Sequence, residues 1–127
     1  MEILSNRAIL RPADPDAALA FYRDVLGLAI YREFPGGTVF FLGNGLLEVS
    51  GKTDRASSEH GLQLWLQVRD LDAVHRELAG AGVEILREPR REPWGLDEMW
   101  VADPDGTRIV FVRIPPEHPI RRDDRAD

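Results

Sequence analysis

Strict alternation along residues 63–68, QLWLQV, sets Gln63, Trp65 and Gln67 on one face of a strand and Leu64, Leu66 and Val68 on the other. Two amides flanking an indole form a recognition surface. The amides orient a guest by donating and accepting hydrogen bonds, and the ring offers a flat face for stacking. Nucleophilic chemistry finds little to work with, because the chain has no cysteine and only three histidines. His60 lies in a polar connector three residues before Gln63, His75 borders the apolar stripe of a helix, and His118 belongs to a polar tail. None of them completes a Ser-His-Asp arrangement.

The elements that must position these residues repeat. The stretch ADPDAALAFYRDVLG at 13–27 returns in thinned form as RDLDAVHRELAGAG at 69–82, its opening aspartates Asp14 and Asp70 being 70 − 14 = 56 positions apart. One residue is missing inside the second copy. Asp14 and Asp70 fit helix N-caps, Pro15 fits the first helical position, and Gly27 fits a left-handed stop. A strand is expected before each helix, at 5–12 and 63–68. Three more follow each helix: 28–34, 38–42 and 46–50, then 83–88, 97–102 and 107–113. Asn44-Gly45 reads as a two-residue hairpin loop, and DPDG at 103–106 as a type I turn closed by a bulge. PRREPWG at 89–95 reads as a loop.

Each half is thus β-α-β-β-β, and the expected fold is α+β: two tandem βαβββ modules forming a curved, eight-stranded, open barrel-like sheet around a cleft. Aliphatic residues face the helices, and the opposite face carries polar and aromatic side chains suited to a cavity wall. Module one spans about 5–50 and module two about 61–114. Together they form one domain over 1–114, and 115–127 is expected to be a mobile tail.

The 127 residues carry 16 basic and 22 acidic side chains, a net charge of −6. That balance argues against a nucleic-acid partner and mildly favours a cationic small molecule. No apolar run reaches the ~18 residues of a membrane helix. The start MEILSNRA lacks the features of a signal peptide, and without cysteine the default location is the cytoplasm.

DPDAALAFYRDVLGL, the echo VRDLDAVHREL with GAGV, and DPDGTRIVFV near the end resemble the vicinal oxygen chelate superfamily of glyoxalase I, extradiol dioxygenases and bleomycin-resistance proteins. The resemblance covers about 5–114. Metal enzymes of that superfamily carry one ligand on the first and one on the last strand of each module, positions that fall here on Arg7, Glu48, Gln63 and Val110. A guanidinium has no lone pair to offer and valine has no donor, so one carboxylate and one amide remain where a catalytic ion needs about three ligands. The resemblance therefore implies a metal-free member with no cofactor and no catalytic residue, in which Arg7 and Glu48 pair.

A bulged DPDG turn pairs Trp100 with Val110 and directs Trp100 inward. The Asn-Gly hairpin pairs Phe41 with Glu48 and does the same for Phe41. Trp94 is expected as a flap or anchor in its loop. The expected ligand-binding set is Trp65, Trp100, Phe41, Arg7, Glu48, Gln63, Gln67, Trp94 and Val110.

The implied function is that of a bleomycin-resistance-like homodimer sequestering an aromatic or glycopeptide-like antibiotic or metabolite. The alternatives are a metal-dependent lyase, isomerase, epimerase or dioxygenase, with His60 as a recruited ligand, or a metal-free biosynthetic enzyme using Glu48 as base.

Overall fold

Both helices begin in the same way. Asp14 and Asp70 hold nearly identical extended conformations, φ −122° and −127° with ψ 94° in each, and each carboxylate accepts the backbone N–H three residues on, from Ala17 at 3.1 Å and Ala73 at 3.0 Å. Each cap satisfies a donor that a helix start leaves orphaned. The computed structural model describes residues 2–54 and 62–118.

The helices then part. The first runs as α1 (Pro15–Ala20) and continues as a π turn over Phe21–Val25, in which the Leu26 N–H reaches the Phe21 carbonyl at 2.9 Å. The second, α2 (Leu71–Gly80), stays regular. The residue that the second copy lacks is the one the first absorbs as a π turn. Gly27 and Gly82 end the two stretches with φ of 66° and 78°.

The strands are β1 (Ala8–Leu10), β2 (Ile30–Phe34), β3 (Gly37–Leu42), β4 (Gly45–Ser50), β5 (Gln63–Gln67), β6 (Glu84–Arg91), β7 (Asp97–Ala102) and β8 (Arg108–Arg113). They form two four-stranded mixed sheets, ordered β1-β4-β3-β2 and β5-β8-β7-β6. In each the first strand is parallel to the last of its module and the other pairs are antiparallel. The α+β fold of two βαβββ modules is present, as two open sheets rather than one of eight strands. The chain divides into two compact units, Met1–Leu62 with Asp103–Thr107, and Gln63–Ala102 with Arg108–Asp127.

Burial explains why one face of each sheet is fixed. In the first unit Leu10, Phe40, Leu47 and Val49 are buried on the helix side together with Ala18, Phe21 and Tyr22. In the second, Leu64, Met99, Val101, Ile109 and Phe111 are buried with Leu71 and Leu78 of α2. Each large apolar side chain so removed from water contributes roughly 1.5–3 kcal/mol before entropy is counted. Tyr22 is fully buried, and its hydroxyl donates to Asp103 Oδ2 at 2.7 Å. The other oxygen of Asp103 accepts the N–H groups of Asp105 and Thr107, which builds the DPDG turn.

Three boundaries differ most from expectation. The first strand is only three residues long. The strand expected at 83–88 runs on through Pro89 to Arg91, which β6 tolerates because it is an edge strand. The tail is packed at its start: Pro115 is fully buried, and His118 Nε2 donates to the Trp94 carbonyl at 2.9 Å. Residues 119–127 lie outside the described residues. Among the described residues no helix is long and apolar enough to cross a membrane.

Candidate functional site

Across β1, β4 and β3, cross-strand partners place Ile9, Glu48 and Val39 in one row on the face away from α1, with Leu46 and Phe41 in the next. Arg7, two residues before Ile9, reaches over this face. Its Nη1 donates to Glu48 Oε1 at 2.9 Å, while the Ser50 hydroxyl donates to Oε2 at 2.7 Å. The Glu48 side chain is 14% exposed and that of Arg7 36%. The Ser50 hydrogen bond, then that from Arg7, holds the Glu48 carboxyl below its ordinary value.

Phe41 lies on this face but pairs with Leu46; Glu48 instead faces Val39. The hairpin loop is Gly43-Asn44, one residue earlier than expected, with Gly43 at φ 58° in the position where a type II′ turn calls for glycine. The displaced turn moves every pairing by two residues, and a two-residue shift preserves the face. Phe41 is 47% exposed and meets Tyr31 edge-on, 5.3 Å between ring centres.

In the second sheet Trp65, Val110 and Trp100 form one row across β5, β8 and β7. Trp65 is 49% exposed, Gln63 and Gln67 flank it in the open, and Val110 is buried against Leu96, Val112 and Ile114. Trp100 packs on that cluster. The guanidiniums of Arg87 and Arg108 lie over its ring, 4.2 and 4.7 Å from the centroid. Buried Glu98 accepts from two indoles: Trp100 Nε1 donates to Oε1 at 3.1 Å and Trp94 Nε1 to Oε2 at 2.6 Å. Trp94 is thereby anchored, although about half of it is exposed.

The four positions that the resemblance assigns to metal ligands do not suit a divalent cation. In the first sheet the single carboxylate already has a donor on each oxygen, and one of those donors is a cation that would repel the ion. In the second sheet Gln63 offers an amide and Val110 nothing. Among the described residues no three His, Asp or Glu side chains are grouped to hold an ion. His75 Nε2 sits 2.6 Å from Glu88 Oε2, and His118 is engaged by the Trp94 carbonyl. His60, the alternative recruited ligand, lies outside the described residues.

Sequence reasoning overlooked Arg87, Arg108, Glu98 and Ser50. Alternation alone could have found two of them, because Ser50 shares its face with Glu48 and Arg108 with Val110. Two surface hollows, about 410 and 510 Å³, lie beside the starts of α1 and α2 and include none of the nine expected site residues. In the larger, Asp97 is already paired with Arg91 and Arg113. The open sheet faces carry the more specific chemistry.

A profile of the Glyoxalase/Bleomycin resistance protein/Dioxygenase superfamily matches residues 5–111. A relative named "Probable lactoylglutathione lyase", from Synechocystis sp., is 29% identical over 119 residues, covering 83% of this chain and 91% of that protein. Among solved structures, a protein of unknown function from Agrobacterium tumefaciens is 24% identical with a TM-score of 0.74, covering 91% of this chain and 95% of that one. A glyoxalase/bleomycin resistance protein/dioxygenase from Alicyclobacillus acidocaldarius is 18% identical with a TM-score of 0.71, covering 87% and 90%. These structural likenesses speak to the fold. With the profile spanning both modules, the chain belongs to the glyoxalase/bleomycin resistance protein/dioxygenase superfamily.

Proposed function

We propose that this protein is a metal-free binding member of its superfamily, a cytoplasmic homodimer that sequesters a planar aromatic or glycopeptide-like metabolite or antibiotic without transforming it. One observation carries this reading: the only carboxylate among the four family ligand positions is tied up by Arg7 and Ser50. On the second sheet Trp65, Gln63 and Gln67 supply stacking and orientation, with Trp94 of the same unit as a further aromatic contact. Stacking on a ring such as Trp65 is worth roughly 0.5–1.5 kcal/mol beyond burial. Trp65→Ala is therefore expected to weaken binding about tenfold or more, burial included.

The test is a thermal-shift screen of aromatic metabolites and antibiotics beside divalent metals, with elemental analysis of the desalted protein. A ligand that raises the melting temperature and is recovered unchanged supports sequestration. Stoichiometric Ni, Zn, Mn or Fe retained through desalting overturns it.

The second reading is a metal-dependent lyase, and the name of the Synechocystis relative favours it. It requires ligands other than the four family positions. A metal-free enzyme with Glu48 as base is opposed by the lowered pKa of that carboxyl.

A further inference from the structure

On the open face of the second sheet the charges are unequally matched. Arg87 Nη1 lies 3.3 Å from buried Glu92, which also takes Arg90 at 3.1 Å. Both oxygens of Glu98 are occupied by indole N–H groups. Arg108 has no carboxylate of the described residues within ion-pair distance, although it is half-buried with its guanidinium over Trp100. A cation partly removed from water and facing no acid among the described residues is a vacant electrostatic position.

Arg108 is the cross-strand partner of exposed Gln63, and Val110, two residues on, is the partner of Trp65. All four side chains therefore share one face. Strand geometry puts the backbone positions of Trp65 and Arg108 roughly 8 Å apart, one strand spacing across and two residues along. An aromatic ring lying on Trp65, with an attached oxyanion turned toward Arg108, is of a size to bridge that backbone separation, and Gln63, a neighbour of both positions, offers an amide donor on the same face.

Resting on the binding reading, we propose that the ligand class is a planar aromatic anion, an arene bearing a carboxylate or similar oxyanion, stacked on Trp65 and held by Arg108. A guanidinium suits this task because its planar fork meets a carboxylate with two parallel hydrogen bonds. Trp100 is the less suitable platform, since two guanidiniums already lie over its ring. The net charge of −6 favours cations at long range. It is screened over about 8 Å at physiological salt, so at contact the local charge decides.

The experiment is calorimetric titration with three probes of one shape: 2-naphthoate, neutral 2-naphthamide and 2-naphthylmethylammonium. The expected result is naphthoate binding about tenfold or more tighter than the amide, with the ammonium weakest. Added salt should narrow that gap. Arg108→Gln should erase the naphthoate advantage by lowering naphthoate affinity far more than amide affinity, and Arg108→Lys, which keeps the charge without the fork, should retain part of it. If Arg108→Gln does not fold, the comparison of Arg108→Lys with the unaltered protein carries the test, and equal naphthoate affinity in the two overturns the role of the fork.

Equal binding of all three probes, or a preference for the ammonium, overturns the anion proposal and leaves sequestration standing. Binding of none of them at millimolar concentration overturns the proposal and removes Trp65 from the site. Sequestration itself falls on retained metal or an altered ligand, results these titrations do not produce.

Discussion

The two modules share a topology, a capping geometry and a register, yet their open faces have taken opposite chemical courses. Where the first places Ile9 beside Glu48 on adjacent strands, the second places Trp65 beside Val110. The first keeps a carboxylate and satisfies it with a guanidinium and a hydroxyl. The second has an aliphatic side chain there, buried with Val112, Leu96 and Ile114, and carries its cations on Trp100 instead. The helix sides show no such divergence, because both must bury branched and aromatic side chains under a helix. Packing density restrains that side, whereas on the other face the corresponding corner holds a charge in one module and a buried aliphatic in the other, each matched to its own neighbours.

The sharpest way to break this contrast is to give the second module the first module's acid. Val110→Glu would put a carboxylate into an aliphatic cluster with no cation aimed at it. Its expected cost is about 3–5 kcal/mol of folding stability, the range for an unpaired buried charge. Urea unfolding measures it. A loss below ~1 kcal/mol, less than one buried hydrogen bond is worth, would mean that Arg108 or Gln63 can swing to meet the new acid. The second face would then tolerate what the first carries.

A middling effect is expected at Tyr22. Its hydroxyl reaches Asp103 from inside the first unit, whereas Leu71 and Leu78, the large residues buried on α2, make no side-chain polar bond. Tyr22→Phe should cost about 1–2 kcal/mol, the range for a buried hydrogen bond whose acceptor stays behind. The loss is at the lower end if the Asp105 and Thr107 N–H groups compensate. An unchanged denaturation midpoint would show the turn to be self-sufficient and would erase this difference between the helices.

Much of this contrast is legible in the order of the amino acids. The 56-residue echo of Asp14 in Asp70 locates both helix starts, because an N-cap is a local interaction between residues three apart. The alternation of QLWLQV assigns Trp65 its face, and the DPDG turn sets Trp100 opposite Val110. Other features are ambiguous for physical reasons. The run Gly43-Asn44-Gly45 contains two dipeptides that each suit a hairpin, so composition does not choose between them. A one-residue difference between the helices is visible in the repeat, but its resolution as a π turn depends on how Phe21 and Tyr22 pack. The position of Arg87 is beyond counting, since β6 changes register around it. Glu98 reads as a surface residue until two indoles are seen to converge on it.

The subtlest expected effect concerns how firmly the first module's acid is held. Glu48 in the folded protein is depressed below its ordinary 4.5, so its ionised form contributes stability above that pH and the contribution is lost as pH falls through the folded value. Carboxyl-detected NMR titration should find Glu48 ionising below 4.5. Ser50→Ala should raise the value more than Arg7→Gln does. The hydroxyl lies at 2.7 Å beside a carboxylate that is mostly shielded, whereas the Arg7 side chain is over a third exposed and its charge is shared with solvent. Were Glu48 to titrate at or above its ordinary value, the pair would be open in solution. The first face would then hold a free carboxylate at Glu48, and its difference from the Val110 corner would become one of available chemistry.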